Sequence, residues 1–419
     1  MKSNNEKLLL FILAAIQFTN IVDFMIMMPM GDILQKKLDI TPGQYGWLVS
    51  SYGLAAGFTS FLGVFYLDNL DRKKALLMAY LGFMIGTLSS AIVPNTDNAS
   101  LNYFLFIGTR ILTGVTGGLL GGLVLSIVGD TIPLERRGKA MATVTIAFSL
   151  ASIFGVPLAL MLVDSFGGNW HIPFFAVSAL SLPIWILALK AIPPLNAHLH
   201  HHKDGYDRFA TFRFALSSIE QRNALLFTVL LVLGQFTVIS FLTPYNINNV
   251  GLKQSDVKYI YLVGGICTVI SGMFIGRLVD KFGRYRIFSV FAILSFIPIL
   301  VATNIGKTEL WAVLLNAGFF FMVISGRMIP ANTIISAVVD PKNRAGFMSL
   351  NSSAMSIASG SSAAIAGLII SQENEHAPLK NYEYVGYLAI TATLIALVVV
   401  RRMKKVNKST AEHAAKSIH

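Results

Sequence analysis

Long apolar runs alternate with short polar breaks along almost the whole chain. Windows of about 20 residues pick out twelve such runs, near 8–30, 44–67, 75–93, 102–128, 140–163, 171–192, 223–247, 256–279, 287–304, 309–333, 347–370 and 384–400. Each is long enough to cross a bilayer as a helix. The breaks carry the charge. Gly276, Arg277, Leu278, Val279, Asp280, Lys281, Phe282, Gly283, Arg284, Tyr285 and Arg286 pack an acid, a turn glycine and several cations between two apolar runs. Such a stretch cannot lie in lipid, so it forms a short hairpin at the membrane surface. A weaker copy stands 212 residues earlier, where Asp68, Asn69, Leu70, Asp71, Arg72, Lys73 and Lys74 separate another pair of runs. The same offset lays Gly53 on Gly265, and an offset of 207 lays Arg137 on Arg344, Met141 on Met348 and Ser149 on Ser356. The pattern predicts an all-α membrane protein of two pseudo-symmetric six-helix bundles, 1–192 and 223–402, joined by a linker at 193–222 and followed by a basic, unstructured tail at 403–419.

Composition agrees. The chain has 419 residues, 54% hydrophobic and 13% charged, with a mean hydropathy of +0.64, whereas soluble domains are about one quarter charged. Positive charge orients it. With both termini in the cytoplasm, cytoplasmic segments hold 25 of the 33 Lys and Arg residues; the other side holds Lys36, Lys37, Lys253, Lys258, Lys307 and Lys380. The net charge of +12 is therefore mostly topology, and a nucleic-acid partner is not expected. The single cysteine, Cys267, rules out an intramolecular disulfide and reads as a packing residue. The first run lacks a small-residue cleavage site, so it reads as an uncleaved helix.

Polar residues inside the spans are the candidates for function. Gln17, Asn20 and Asp23 recur every three residues in span 1 and share one side of it, which must face protein or water. Asp23 is the one acid well inside that span, and intramembrane acids are usually functional. Span 4 carries Arg110, then Gly114, Gly117, Gly118, Gly121 and Gly122, glycines that let a neighbouring helix approach. Asp23 and Arg110 both fall roughly 10 to 12 Å below the outer surface. An ion pair between them is possible, and whether they face each other is left open. Span 5 holds Gly155 and Pro157, and the proline implies a kink. Arg327 in span 10 lies roughly 27 Å from the outer end, near the cytoplasmic face, where snorkelling competes with a cavity role. With Gln235, Asn316 and Asn351 it completes the substrate-cavity set. Asp23 falls on Gln235 in the repeat, so the deep acid has no ionisable counterpart in the second half. Trp170 reads as an interfacial anchor, and His171 as a solvated residue rather than a proton relay. His198, His200, His201 and His202 sit in a basic linker without cysteine and read as solvated rather than metal-binding; no metal site is expected. Tyr206 to Ile219 reads as a short helix on the membrane surface.

Twelve spans in two halves with a cytoplasmic linker resemble the major facilitator superfamily. Gly276, Leu278, Asp280, Gly283, Arg284 and Arg286 match its loop signature G-x-L-x-D-x-x-G-R-x-R. Arg110 with Gly114 and the following glycines resembles the span-4 motif of the drug and sugar efflux branch, and Gly155 with Pro157 a reduced antiporter motif. The departures are Asp71 and Val64 where the first loop would carry glycines, and Leu158, Ala159 and Leu160 where span 5 would. The resemblance implies a bacterial-type inner (plasma) membrane location, a monomer in the lipid bilayer, a small-molecule substrate and alternating access about a midplane site. It also implies that Asp68 with Arg72, and Asp280 with Arg284, gate the cytoplasmic side, the second pair from a better-formed turn.

No phosphate-binding G-x-x-x-x-G-K-[ST] motif is present, so no ATP and no other cofactor is expected and a proton gradient is the expected drive. Asp23 is the proton carrier in this reading: separating it from Arg110 changes its affinity for a proton. The preferred function is proton-coupled export of a small amphipathic compound. Uptake by symport of a sugar, organic anion or siderophore is the alternative, and a membrane sensor a remote one. An enzyme is not expected, for no catalytic dyad or soluble domain is seen.

Overall fold

The computed structural model describes residues 3–67, 70–94, 96–195, 213, 217–339, 344–374 and 377–416. Its twelve spans follow the apolar runs. Span 1 is Ser3–Met25, span 2 Pro42–Tyr66, span 3 Arg72–Ala91, span 4 Ala99–Thr131 and span 6 Ile172–Ala191. Span 5 is Leu134–Leu150, a π turn Ala151–Gly155, and Val156–Ser165. In the second half, span 7 is Ile219–Tyr245 with a π turn Asn246–Val250, and span 8 is Val257–Phe282. Span 9 is Arg284–Leu294 with Phe296–Asn304, span 10 Leu310–Ser336, span 11 Arg344–Ile369 and span 12 Tyr382–Lys416. Eleven of these are long and apolar enough to cross a membrane. Span 2, with 25 residues, matches them in length and is set between spans 4 and 11.

Local chemistry sets the ends. Thr41 and Gln44 cap span 2 reciprocally ahead of Pro42, Asp71 accepts from the Lys74 N–H at span 3, and Asn98 accepts from the Leu101 N–H at span 4. Gly283 sits at φ +84° between spans 8 and 9, a region L side chains rarely adopt, so the intact hairpin depends on a glycine there.

Two expectations change. Span 1 ends at Met25 rather than near residue 30, and after a turn the short helix Gly31–Leu38 follows. The tail is not without structure, because the last helix runs to Lys416; its lysines, alanines and glutamate are good helix formers. Most of the linker, with the histidine tract and most of the surface-helix stretch, lies outside the described residues, as does Asp68.

Within the N-terminal bundle, span 4 packs on spans 2 and 3, and span 1 on spans 5 and 6; within the C-terminal one, span 8 packs on span 10 and span 7 on spans 11 and 12. The halves meet through span 2 against span 11 and span 5 against span 8. A pseudo-twofold exchange of halves interchanges these two interfaces. The first is a glycine seam: a Cβ on Gly53 would lie 2.5 Å from the Gly360 Cα, and one on Gly46 2.5 Å from the Ala363 oxygen. Backbones therefore touch where side chains usually interlock. Three polar contacts tie the halves at the face away from the termini. Tyr45 donates to the Ser240 carbonyl at 3.3 Å, Asn248 donates to Asp32 at 2.7 Å, and Lys258 pairs with Asp164 at 3.0 Å.

Candidate functional site

Span 1 turns its polar side toward span 4, as the three-residue spacing requires. Gln17 lies beside Gly121. One turn on, the Asn20 amide donates to the Gly117 carbonyl at 3.4 Å and its oxygen accepts from the Tyr52 hydroxyl at 2.7 Å. Asp23 follows, fully buried. Arg110 Nη1 stands 2.9 Å from Asp23 Oδ2, both side chains sealed from solvent. That approach is off the N–H direction, so the contact is an ion pair rather than an aligned hydrogen bond. Nη2 also donates to the Asp23 carbonyl at 3.4 Å, and Thr87 of span 3 donates to Oδ1 at 3.2 Å. The Arg110 guanidinium carbon lies 4.9 Å from the centre of the Tyr52 ring and 5.5 Å from that of Phe174. A charge pair in such surroundings is balanced only while both partners are present: removing one costs about 3–5 kcal/mol.

The glycines let these helices meet. A Cβ on Gly114 would lie 2.5 Å from the Tyr52 carbonyl oxygen and one on Gly118 2.3 Å from that of Ala56, so span 4 lies directly on span 2. A Cβ on Gly155 would lie 2.3 Å from Val22 Cγ2, on the helix that bears Asp23. Pro157 has no backbone N–H to give, and a π turn at Ala151–Gly155 stands just before it.

Other expected cavity residues separate. Gln235 in span 7 is half-buried with its side-chain oxygen unbonded to protein. Its neighbour Phe236 puts its ring 6.0 Å from Phe24, whose ring is 5.4 Å from Tyr52. This aromatic bridge joins spans 1 and 7 across the halves, with Asn20 bonded to the Tyr52 hydroxyl at one end and Gln235 next in the chain to Phe236 at the other. Asn316 and Asn351 do not join it. Asn316 donates to the Pro298 carbonyl at 3.4 Å and lines a small cavity within the C-terminal bundle with Leu242, Asn246 and Phe320. Asn351 is buried against span 7, accepting from Thr228 at 2.6 Å.

Arg327 is not at the surface either. It is fully buried and donates from Nη1 to Ser295 at 3.4 Å and Thr393 at 3.1 Å, midway along spans 9 and 12. Helical side chains lean toward the N-terminal end, which in span 10 points away from the termini. The guanidinium is carried toward the midplane and not toward the near surface. Trp170 is likewise no interfacial anchor: it is 2% exposed, packed on Phe106 and Phe174 and stacked on His171 at 3.7 Å. His171 is partly buried rather than freely solvated, and that burial lowers its proton affinity below the ordinary histidine value.

At the face bearing the termini, the two loop copies make different contacts. Arg72 Nε pairs with Asp130, at the end of span 4, at 3.1 Å, and its backbone N–H reaches the Leu195 carbonyl. Arg284 donates to the Thr333 carbonyl of span 10 at 3.3 Å and does not pair with Asp280, which is exposed. Gly276 has open space around it. Sequence reading missed Thr87, Tyr52 and Phe174 around the ion pair and the contacts Asp32–Asn248 and Asp164–Lys258 between halves. Matched depth of the lone charges near the ends of spans 5 and 8 was the one available signal for the last.

Two six-helix bundles, closed on each other at one face and enclosing a polar and aromatic seam, define a transporter of the bilayer-spanning kind. The Major Facilitator Superfamily profile matches residues 13–324 and 224–418, and the chain belongs to that superfamily. It is 26% identical over 410 residues to Multidrug resistance protein 2 of Bacillus subtilis (strain 168), covering 96% of this chain and 97% of that protein. With the Probable sugar efflux transporter of Pasteurella multocida (strain Pm70) it shares 21% over 324 residues, 76% of this chain and 74% of the other. The fold matches the crystal structure of a D-xylose-proton symporter with a TM-score of 0.74 at 16% identity, over 93% of this chain and 96% of that one.

Proposed function

We propose that this transporter exports a small amphipathic compound in exchange for protons, as a monomer with both termini in the cytoplasm. The observation that carries the reading is Asp23: among the described residues it is the one fully buried acid within a span, and its charge is balanced by Arg110. Protonating Asp23 releases Arg110 from its counter-charge. Tyr52 feels that change, for its ring lies against the guanidinium and its hydroxyl holds Asn20. The next residue, Gly53, is in the seam against Gly360. Proton binding in the N-terminal bundle is thereby linked to the interface that must open for the halves to rock. In this orientation the contacts at the face away from the termini close the outer side. The aromatic and amide lining suits a substrate with an apolar body and a few polar groups. Kinship with proteins named for multidrug resistance and sugar efflux supports export.

The test is transport by purified protein in liposomes carrying an internal pH dye, across a panel of lipophilic dyes and metabolites. The wild type should move protons against substrate, and Asp23→Asn should abolish the pH-driven movement while retaining substrate exchange. Full pH-driven transport by Asp23→Asn would remove Asp23 from the mechanism. Protons moving with the substrate would make the protein an uptake symporter.

A further inference from the structure

The C-terminal bundle contains a second buried cation with no acid to match it. Arg327 is fully buried near mid-depth. Every Asp and Glu in the described C-terminal spans stands at or near a helix end, namely Glu220, Asp280, Glu383 and Glu412. Its protein contacts are two hydroxyl oxygens, both on Nη1, and both hydroxyls spend their own protons on backbone carbonyls, Ser295 on Ala292 and Thr393 on Ala389. Nε and Nη2 have no protein partner. Those two nitrogens form one edge of the guanidinium, with parallel N–H donors spaced to match the two oxygens of a carboxylate. An arginine does not shed its proton to escape burial, and an uncompensated charge at this depth is costly. The N-terminal bundle meets the same cost with Asp23. In the repeat the position of Asp23 is taken by the uncharged Gln235.

We propose that the free Nε–Nη2 edge of Arg327 binds a small monovalent anionic group, a carboxylate or a halide, within the C-terminal bundle. The anion takes the place that Asp23 fills for Arg110. It comes from solution as a free ion, or as the charged end of a transported compound entering between the halves. The site does not rest on proton coupling at Asp23, so the two readings fail separately.

Thermal unfolding of the full-length protein in nanodiscs tests this, with sulfate as the reference salt at constant ionic strength and chloride or benzoate titrated against it. An anion that binds only the folded protein, at ten times its Kd, raises the folding constant about tenfold, seen as a saturable rise in Tm. Arg327→Met should remain folded, since apolar replacement of a buried charge is often neutral or stabilising, and should lose the rise. Arg327→Lys keeps the charge without the paired donors and should lose the benzoate response. A response to chloride supports a free ion in the site, and a response to benzoate alone supports a carboxylate-bearing compound. No saturable rise in the wild type, an equal rise in Arg327→Met, or an unchanged benzoate response in Arg327→Lys would each overturn the proposal.

Discussion

Replacing Asp32 with Ala should loosen the closed face by an amount the geometry sets. Asp32 accepts from Asn248 across the two halves at 2.7 Å, and its side chain is 7% exposed. A hydrogen bond to a charged group contributes about 1.5–3 kcal/mol, and the lower end applies because the carboxylate regains water when the halves part. The pair with Lys36 lies within the short helix Gly31–Leu38, so its loss affects both conformations alike. Asn248 also keeps its bond to the Pro244 carbonyl. About 1.5 kcal/mol then moves the balance between closed and open faces about tenfold. Lys37 and Lys253 are exposed near this contact, one in each half, and Cys267 is the only native thiol. Spin labels on Lys37→Cys and Lys253→Cys in a Cys267→Ser background therefore report the separation by pulsed electron resonance. Asp32→Ala should raise the long-distance population relative to the short one about tenfold, and Lys36→Ala should leave it unchanged. An identical distance distribution with and without Asp32 would refute the assignment of this bond as a latch.

Two further outcomes follow from single contacts. Gly155→Ala puts a methyl 2.3 Å from Val22 Cγ2 and should cost about 1–3 kcal/mol by overpacking, lowering Tm; Val22→Ala in the same chain should restore most of it. If the double variant is no more stable than Gly155→Ala, the clash is not with Val22. His171, whose proton affinity burial lowers, binds fewer protons folded than unfolded. Its contribution is complete above the unfolded value of about 6.5 and is lost as pH falls from there through the lower folded value. Tm should therefore fall across that acid range more steeply in the wild type than in His171→Gln, and parallel profiles would exclude the histidine as the cause.

The spans were legible because a helix must satisfy its backbone internally in lipid, which forces some twenty apolar residues in a row whatever the tertiary contacts. The Asp23–Arg110 pair was half legible: matched depth allowed it, and the three-residue polar stripe fixed the side of span 1, but only the fold shows that side facing span 4. Arg327 misled because depth was counted at the Cα, whereas the side chain leans back up its own helix. Trp170 misled because its position at a span end is common to anchors and to plugs between helices. The latch was not legible at all, since Asp32 and Asn248 are 216 residues apart and each reads alone as an ordinary loop polar residue. Both copies of the loop were legible as surface turns, but the contact of Arg72 with Asp130 was not, because Asp130 belongs to the far end of span 4, 58 residues along the chain.

The seam of Gly46, Gly53 and Gly360 bears on the speed of the cycle. Where side chains interlock, two surfaces must change rotamers before they part, and the barrier comes early and steep. Here smooth backbones lie against each other, so nothing has to unhook. Resistance to opening is spread over the whole separation, and a small push from a distant proton or solute can start it. A bulky residue at Gly53 would act as a brake in both directions, slowing turnover without altering which way the solute is driven.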